Sequence, residues 1–379
     1  MQKRKTLAIL FFYDENWTGG MYYFYNFIRA LNLIEDSKRP EIVIISNSLS
    51  EYKKIKENIS YPYLSFENPY KTFPNLIKRI LNKVCIKFLK KEVFNLVLNI
   101  KSDILYSILN TEILNINHHN KYCWIPDLQE HFLKDFFSEK EISNRIGLQK
   151  KAITLNVPMV FSSQSALNDF NNIYNKTSNI KIVLNFAVFH PDITSLNKKD
   201  ILNKFGLNKE YFIIPNQFWK HKNHQIILQV AKKLKEQNKE FLFVFTGKEI
   251  DFRNPDYFNT LKKYLKDNKL EHYVKFLGFI DRNEQLLLIQ NAKAVIQPSL
   301  FEGWSTVVED AKALNQFVII SNIDVHKEQI DRNVLFFDPY NANDLLEKLT
   351  LFSQNNTIQK CNYSKNQKDF ADKIIELIV

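Results

Sequence analysis

Twelve short runs of β-branched and aromatic residues punctuate this chain, each nearly continuous in its hydrophobicity and each set off from the next by turn residues or helical periodicity. They are "TLAILFFY", "EIVIIS", "DILYSIL", "KYCWIP", "MVFSS" and "IKIVL", then "YFIIPNQ", "FLFVFTG", "VKFLGFI", "AVIQPS", "FVIIS" and "VLFFD". A strand with one wet face alternates apolar and polar residues, so runs without alternation indicate strands covered on both faces. Such strands, alternating with helices, make parallel sheets joined by right-handed crossovers. The expected fold class is therefore α/β, with two doubly wound, Rossmann-like domains. A length of 379 residues suits two ordinary cores better than one. Apolar periodicity lapses between Phe189 and Glu210, which places the boundary near 195, with domains 1–195 and 196–360. The terminal stretch 361–379 reads as an amphipathic helix, expected to pack back toward the N-terminal domain.

Several function classes fall away on composition. A hydrophobic content of 45% is ample for packing and excludes disorder. Cys85, Cys123 and Cys361 lie far apart, forming neither a zinc pattern nor a disulfide framework, which points to a reducing, cytoplasmic setting. The basic and then apolar start imitates a signal peptide, but Asp14 and Glu15 stand where small cleavage-site residues belong. It reads as a buried first strand. No run approaches the roughly 18 apolar residues of a bilayer span. The net charge of +11 suits a solvated surface, an anionic ligand or an anionic membrane. No compact basic module points to nucleic acid.

Ligands of doubly wound sheets bind beyond the carboxyl ends of the strands. Three strand-end loops carry chemistry. After the first run, Gly19 and Gly20 open a helical pattern; they serve either a tight turn or the close approach of an anion to free helix N–H groups. After the seventh run comes "FWKHKNH", where Lys220 and Lys222 precede a helix start and can face phosphates. His221 and His224, with no carboxylate or cysteine at ligand spacing, read as surface or capping residues. The third loop is "PSLFEGWSTVVEDAKAL". Glu302 lies at the turn, Gly303 allows close backbone approach, and Trp304, Ser305 and Thr306 begin the next helix. Asp310 lies two turns inside, with Glu309 about 100° away around the axis. A capped charged helix and a ligand site explain this loop equally well.

The stretch "SLFEGWSTVVEDAKAL…VIISNIDVHKEQ" resembles the donor-site signature of family-four retaining glycosyltransferases (glycosyl transferases group 1), whose GT-B fold sets two such domains face to face across a cleft. "NQFWKHKNH", "WTGG", "WIPDLQEHF" and "LGFIDRNEQLLLIQNAKAVIQPS" match in order and spacing, so the resemblance spans essentially the whole chain. It implies an N-terminal acceptor domain and a C-terminal domain binding a UDP- or GDP-linked sugar. The family's paired glutamates fall on Glu302, expected at the sugar hydroxyls, and on Asp310, expected at the ribose; Asp at the second position is a departure. Its phosphate-binding Arg and Lys fall on Gln217 and Lys222, with Lys220 the obvious substitute for the missing Arg. Where many relatives carry His-Asp, this chain has Pro126-Asp127, and His131 is a candidate for the missing imidazole. With no Asp-x-Asp to bridge a divalent ion to phosphates, neither metal nor cofactor is expected.

One further stretch, Phe73 to Lys101, is basic and amphipathic. Ile77, Leu81, Val84 and Phe88 share a stripe, and Arg79, Lys83, Lys87 and Lys90 fall nearly opposite, with Glu92 the lone acid. Packing of the stripe on the N-terminal sheet would leave the cations for water or for anionic lipid at the inner face of the cytoplasmic membrane. The sequence thus implies a transferase of bacterial polysaccharide or lipopolysaccharide synthesis, acting on a glycan or lipid-linked acceptor. The alternative is a degenerate relative that binds a nucleotide or glycan without transfer.

Overall fold

The structure is a computed structural model that describes residues 3–12, 17–90, 93–94, 98–354 and 357–378. Asp14, Glu15 and Glu92 lie outside the described residues. The described residues form two sheets, every paired strand parallel. The first contains β1 (Thr6–Leu10), β2 (Glu41–Ile45), β3 (Leu64–Glu67), β4 (Ile104–Ile108), β5 (Lys121–Ile125), β6 (Met159–Phe161) and β7 (Lys181–Val183), in the order β3-β2-β1-β4-β5-β6-β7. The second contains β8 (Phe212–Ile214), β9 (Phe243–Phe245), β10 (Val274–Phe276), β11 (Val295–Gln297), β12 (Val318–Ser321) and β13 (Val334–Phe337), in the order β10-β9-β8-β11-β12-β13.

Each sheet has apolar clusters on both faces, as unalternating strands require: Ile9, Ile44 and Tyr106 on one face of the first, Ala8, Ile45 and Leu105 on the other. β3 was absent from the sequence reading. Its burial alternates half-buried and exposed, because it is an edge strand covered on one face only. The strand order reverses between β1 and β4 and again between β8 and β11. Connections diverge at those two points and open the crevices in which ligands of such sheets sit.

The chain leaves the first domain after β7, through Leu184–Val188, and returns at its end. The helix Ser364–Ile378 buries Phe370, Ala371 and Ile374 in the same cluster as β1 and the helix Thr18–Ala30, with Phe370 edge-on to Phe27.

The helix Phe73–Leu89 departs from expectation. Its buried residues are Asn75 and Asn82, on one side; Asn75 donates to Pro69 O and Asn82 holds the backbone of Val93 and Phe94. Phe73, Ile77, Ile80, Val84 and Phe88 occupy the opposite side and are exposed, Phe73 by 76% and Phe88 by 73%. The apolar stripe therefore does not pack on the sheet: the polar side faces the protein and the apolar side faces out. Arg79, Lys83, Lys87 and Lys90 are exposed beside it, Lys90 closing the helix in the left-handed region at φ 56°. Among the described residues no helix is long and apolar enough to cross a membrane.

Candidate functional site

The carboxyl ends of the two sheets face one another across a cleft of about 470 Å³. All four tryptophans of the chain, Trp17, Trp124, Trp219 and Trp304, line it. A second cavity, of about 580 Å³, shares Trp304 and Phe186 with it and is bounded on its other side by the C-terminal helix, without Glu302, Lys222 or Gln217.

Each wall is built by a strand end. β11 ends at Gln297 and its loop carries Glu302 to the cleft before the helix Thr306–Ala313, whose N-cap Ser305 accepts from Val308 N–H. Gly303 is there because the domains touch: a Cβ would stand 1.8 Å from Pro126 O and 3.0 Å from Asp127 Cβ. No larger residue fits without parting the loops. Trp304 adds a second tie across the seam, its Nε1 donating to Phe186 O at 3.0 Å.

After β8, a single turn, Lys220–Lys222, ends on Asn223 in the left-handed region (φ 57°), which Asn tolerates, and the helix His224–Glu236 follows. That turn aims Lys222 Nζ at Glu302 Oε1, 2.6 Å away. Ser299 Oγ at 2.7 Å and Gln297 Nε2 at 2.8 Å reach the same oxygen, leaving Oε2 without a donor among the described residues. Burial raises the Glu302 carboxyl pKa, but Lys222 and these bonds outweigh it and hold the group below the ordinary glutamate value. Gln217 is half-buried in the same wall, its Nε2 shielded from solvent and without a partner among the described residues.

The same turn separates the two lysines. Lys220 is exposed, its ammonium 4.8 Å from the Phe136 ring centre, and it does not line the cleft. The cation that lines it beside Lys222 is Arg282, which the sequence reading missed. It opens the helix Arg282–Asn291 just beyond β10, and its Nη2 lies 2.5 Å from Asp310 Oδ1, with the guanidinium over the Tyr22 ring. His190 Nε2 meets the same oxygen at 2.8 Å. Burial would raise the Asp310 carboxyl; Arg282 and His190 together bring it below its ordinary value. Its Oδ2 is buried and has no partner among the described residues. The only sequence signal for Arg282 was its place at a strand-end helix start.

In the N-terminal wall, Gly19 has open space beside it, whereas a Cβ on Gly20 would meet the Trp17 ring at 2.3 Å. Gly20 thus seats Trp17, which stacks on Trp124. Asp127 lines the cleft, held by Gln129 at 3.1 Å and more weakly by Arg145 at 3.9 Å. Burial pushes its carboxyl up against the pull of Arg145. His131 is turned elsewhere: its Nε2 meets Gln149 Oε1 at 2.9 Å, its ring abuts Tyr174 edge-on, and it does not line the cleft. His221 supplies an imidazole there instead. Both His221 and His224, expected at the surface, are buried; desolvation keeps His221 neutral, helped by the adjacent Lys222 charge. Among the described residues no three His, Cys, Asp or Glu side chains gather as metal ligands.

The arrangement offers an anion two cations, Lys222 and Arg282, and the free N–H groups of the helix starts at Thr18 and Thr306, beside carboxylates suited to hydroxyls. Such an arrangement suits phosphate and hydroxyl groups chemically. Residues 197–378 match the family described as glycosyl transferases group 1. The chain is 24% identical over 329 residues, 85% of its length and 83% of the relative's, to the O-antigen chain mannosyltransferase RfbU of Salmonella typhimurium. Anabaena HepE, solved in complex with UDP and glucose, superposes with a TM-score of 0.68 at 13% identity, over 99% of this chain and 97% of that one. A glycosyltransferase from Rickettsia africae gives 0.62 at 16% identity, over 100% and 95%. At such identities the structural likeness shows the fold, which is GT-B.

Proposed function

On the premise that residues 197–378 are a domain of the glycosyl transferases group 1 family, we propose that this chain moves a sugar from a nucleotide-sugar donor to a glycan acceptor in the synthesis of a bacterial surface polysaccharide. The observation that carries the reading is the meeting of Glu302, Lys222 and Gln217 at the seam of the two sheets, with Asp310 and Arg282 in the same wall. The likeness to an O-antigen mannosyltransferase makes nucleotide-linked mannose the first donor to try.

Breaking the bond from the anomeric carbon to the donor phosphate leaves negative charge on the departing diphosphate. Lys222 Nζ, Gln217 Nε2 and the N–H groups at Thr306 are the donors at hand to stabilise it, so no metal is required. Glu302 Oε2 takes a sugar hydroxyl, and Asp310 Oδ2 is the acceptor left for the ribose. Retention follows from the resemblance: the acceptor oxygen attacks the face the phosphate leaves, and its proton passes to the departing phosphate oxygen.

The acceptor is lipid-linked in this reading, and the protein binds the cytoplasmic leaflet peripherally. Support comes from the helix Phe73–Leu89, whose outward apolar side is bordered by exposed Arg79, Lys83 and Lys87. A helix so arranged lies in the interface of an anionic bilayer, its apolar side in the acyl boundary and its cations at headgroups.

Transfer is tested with GDP- and UDP-linked mannose, glucose and N-acetylglucosamine, using lipid-linked glycan as acceptor. Glu302→Gln keeps size but removes charge, so its transfer should fall by about 2–4 kcal/mol in transition-state stabilisation. Unchanged turnover in that variant would remove Glu302 from the donor site, and a wild type inert toward every donor would leave only the degenerate alternative.

A further inference from the structure

Behind the cleft, a buried chain of hydrogen bonds runs from the donor loop to the link between the domains. Gln329 grips Ser305 twice: its Oε1 accepts from Ser305 N–H at 3.0 Å and its Nε2 donates to Ser305 O at 2.8 Å. The same Nε2 donates to Glu309 Oε1 at 3.0 Å, where Lys312 Nζ also arrives at 2.8 Å. Glu309 Oε2 accepts from the Tyr363 hydroxyl at 2.5 Å, and that hydroxyl accepts from Val188 N–H at 2.9 Å. Glu309 is 1% exposed and Gln329 3%.

We infer that Glu309, Gln329 and Tyr363 are positioning residues that fix the Ser305–Thr306 turn for transfer and couple it to the interdomain link; the inference rests on the reading of the cleft given above. The reasoning is one of donor and acceptor inventory. Three donors, from Tyr363, Gln329 and Lys312, converge on one side chain, and an ionised carboxylate can accept all of them. A glutamine would turn its own NH₂ toward one of them. Glu309 also decides which way the Gln329 amide faces: with a carboxylate beside it, the NH₂ must point there and to Ser305 O, which sets the amide oxygen against Ser305 N–H. Reversing that amide would oppose donor to donor and acceptor to acceptor at Ser305. Ser305 caps the helix whose first residues, Thr306 and Val307, line the cleft. A misplaced cap therefore misplaces the N–H groups that meet the leaving diphosphate. None of the three touches substrate. Val188 lies in the segment joining the domains, so the turn's position is tied to their relative placement.

The experiment uses Tyr363→Phe, Glu309→Gln and the double variant in the full chain. Each single change should lower kcat per folded molecule about tenfold with acceptor KM within twofold. The double should be no worse than the more damaging single, because both break one chain of bonds. Without any donor, the peptide Phe301–Asp310 should exchange its amide hydrogens about tenfold faster in each variant. Should Glu309→Gln fail to fold, Tyr363→Phe carries the test, since it removes one hydroxyl from a ring that stays packed. Unchanged exchange in Tyr363→Phe, or losses that multiply in the double variant, would overturn the inference. A wild type that turns over no donor defeats the proposed function instead, and the exchange measurement still decides this one.

Discussion

Gly303→Ala adds one methyl group at the tightest point of the domain seam. Its carbon would stand 1.8 Å from Pro126 O and 2.7 Å from Pro126 C. A carbon and a carbonyl oxygen in ordinary contact are roughly 3.3 Å apart, so the loops must part by roughly 1.5 Å. No side-chain rotation relieves this, because the obstacle is backbone. Retreat of the 302–306 turn carries Glu302 and the helix start away from Asp127 and the acceptor wall. Misplacement of about 1 Å is enough to cost on the order of a hundredfold in rate, about 2.7 kcal/mol. Affinity for UDP or GDP should change less than threefold, because Lys222, Gln217, Arg282 and Asp310 all belong to the C-terminal domain and move together. The expected result is a folded protein with kcat/KM for the acceptor down about a hundredfold and nearly unchanged nucleotide binding by calorimetry. Transfer at the wild-type rate would refute the argument that the closed seam is the working geometry.

Three further outcomes are expected. Lys222→Ala should weaken UDP or GDP far more than the free nucleoside, while Lys220→Ala leaves both within twofold, since its ammonium sits over Phe136 outside the cleft; calorimetry with both ligand pairs checks this, and a phosphate-selective loss in Lys220→Ala would contradict the geometry. Burial holds the His224 and His326 imidazoles down to about 3 and about 4, so below pH 6.5 the unfolded chain binds protons the fold excludes. The stability these neutral rings contribute is full above pH 6.5 and is lost as pH falls toward those values, about 2–3 kcal/mol each by pH 4.5; urea unfolding at pH 7 and 4.5 measures it, and a flat profile would contradict the burial. The protein should sediment with anionic vesicles, with Arg79, Lys83, Lys87 and Lys90 changed to Gln weakening that binding at low salt; wild-type binding should resist salt in part, because the apolar side remains inserted, and complete indifference to vesicles would end the membrane reading.

The central strands were legible because burial on both faces writes itself as unbroken hydrophobicity, as in "EIVIIS" and "FVIIS". β3 escaped because an edge strand, "LSFE", needs cover on one face only and is too short for its alternation to stand out. Glu302, fixed by its own strand end, could be placed at the crevice from local pattern, whereas Asp127 was reached only through the resemblance. Arg282, His190 and Tyr363 could not. Their partners Asp310 and Glu309 lie far away in sequence, and nothing local marks them beyond the place of Arg282 at a strand-end helix start. A single residue separates Lys220 from Lys222, yet one tight turn points them to different places, which is a matter of backbone geometry that residue type does not encode.

The helix Phe73–Leu89 shows the same limit in another form, and its consequence reaches function. A 3.6-residue period reveals that a helix has an apolar side; it does not say which side meets the protein. The usual inference, that the apolar side goes inward, fails here because the inward contacts are polar and specific: Asn82 alone satisfies the backbone of two residues that follow the helix. With those bonds made, the side bearing Phe73, Ile80 and Phe88 has nowhere to go but outward. Single exposed apolar residues need no explanation, but a whole helix side of them bordered by lysines asks for a cover that is itself apolar below and anionic above. In the proposed reading that cover meets the N-terminal domain, while the cleft cations Lys222 and Arg282, proposed to meet phosphate, belong to the other. The proposed transfer from a water-borne anionic donor to a bilayer-held acceptor would use that division, with the tight seam at Gly303 between the two walls.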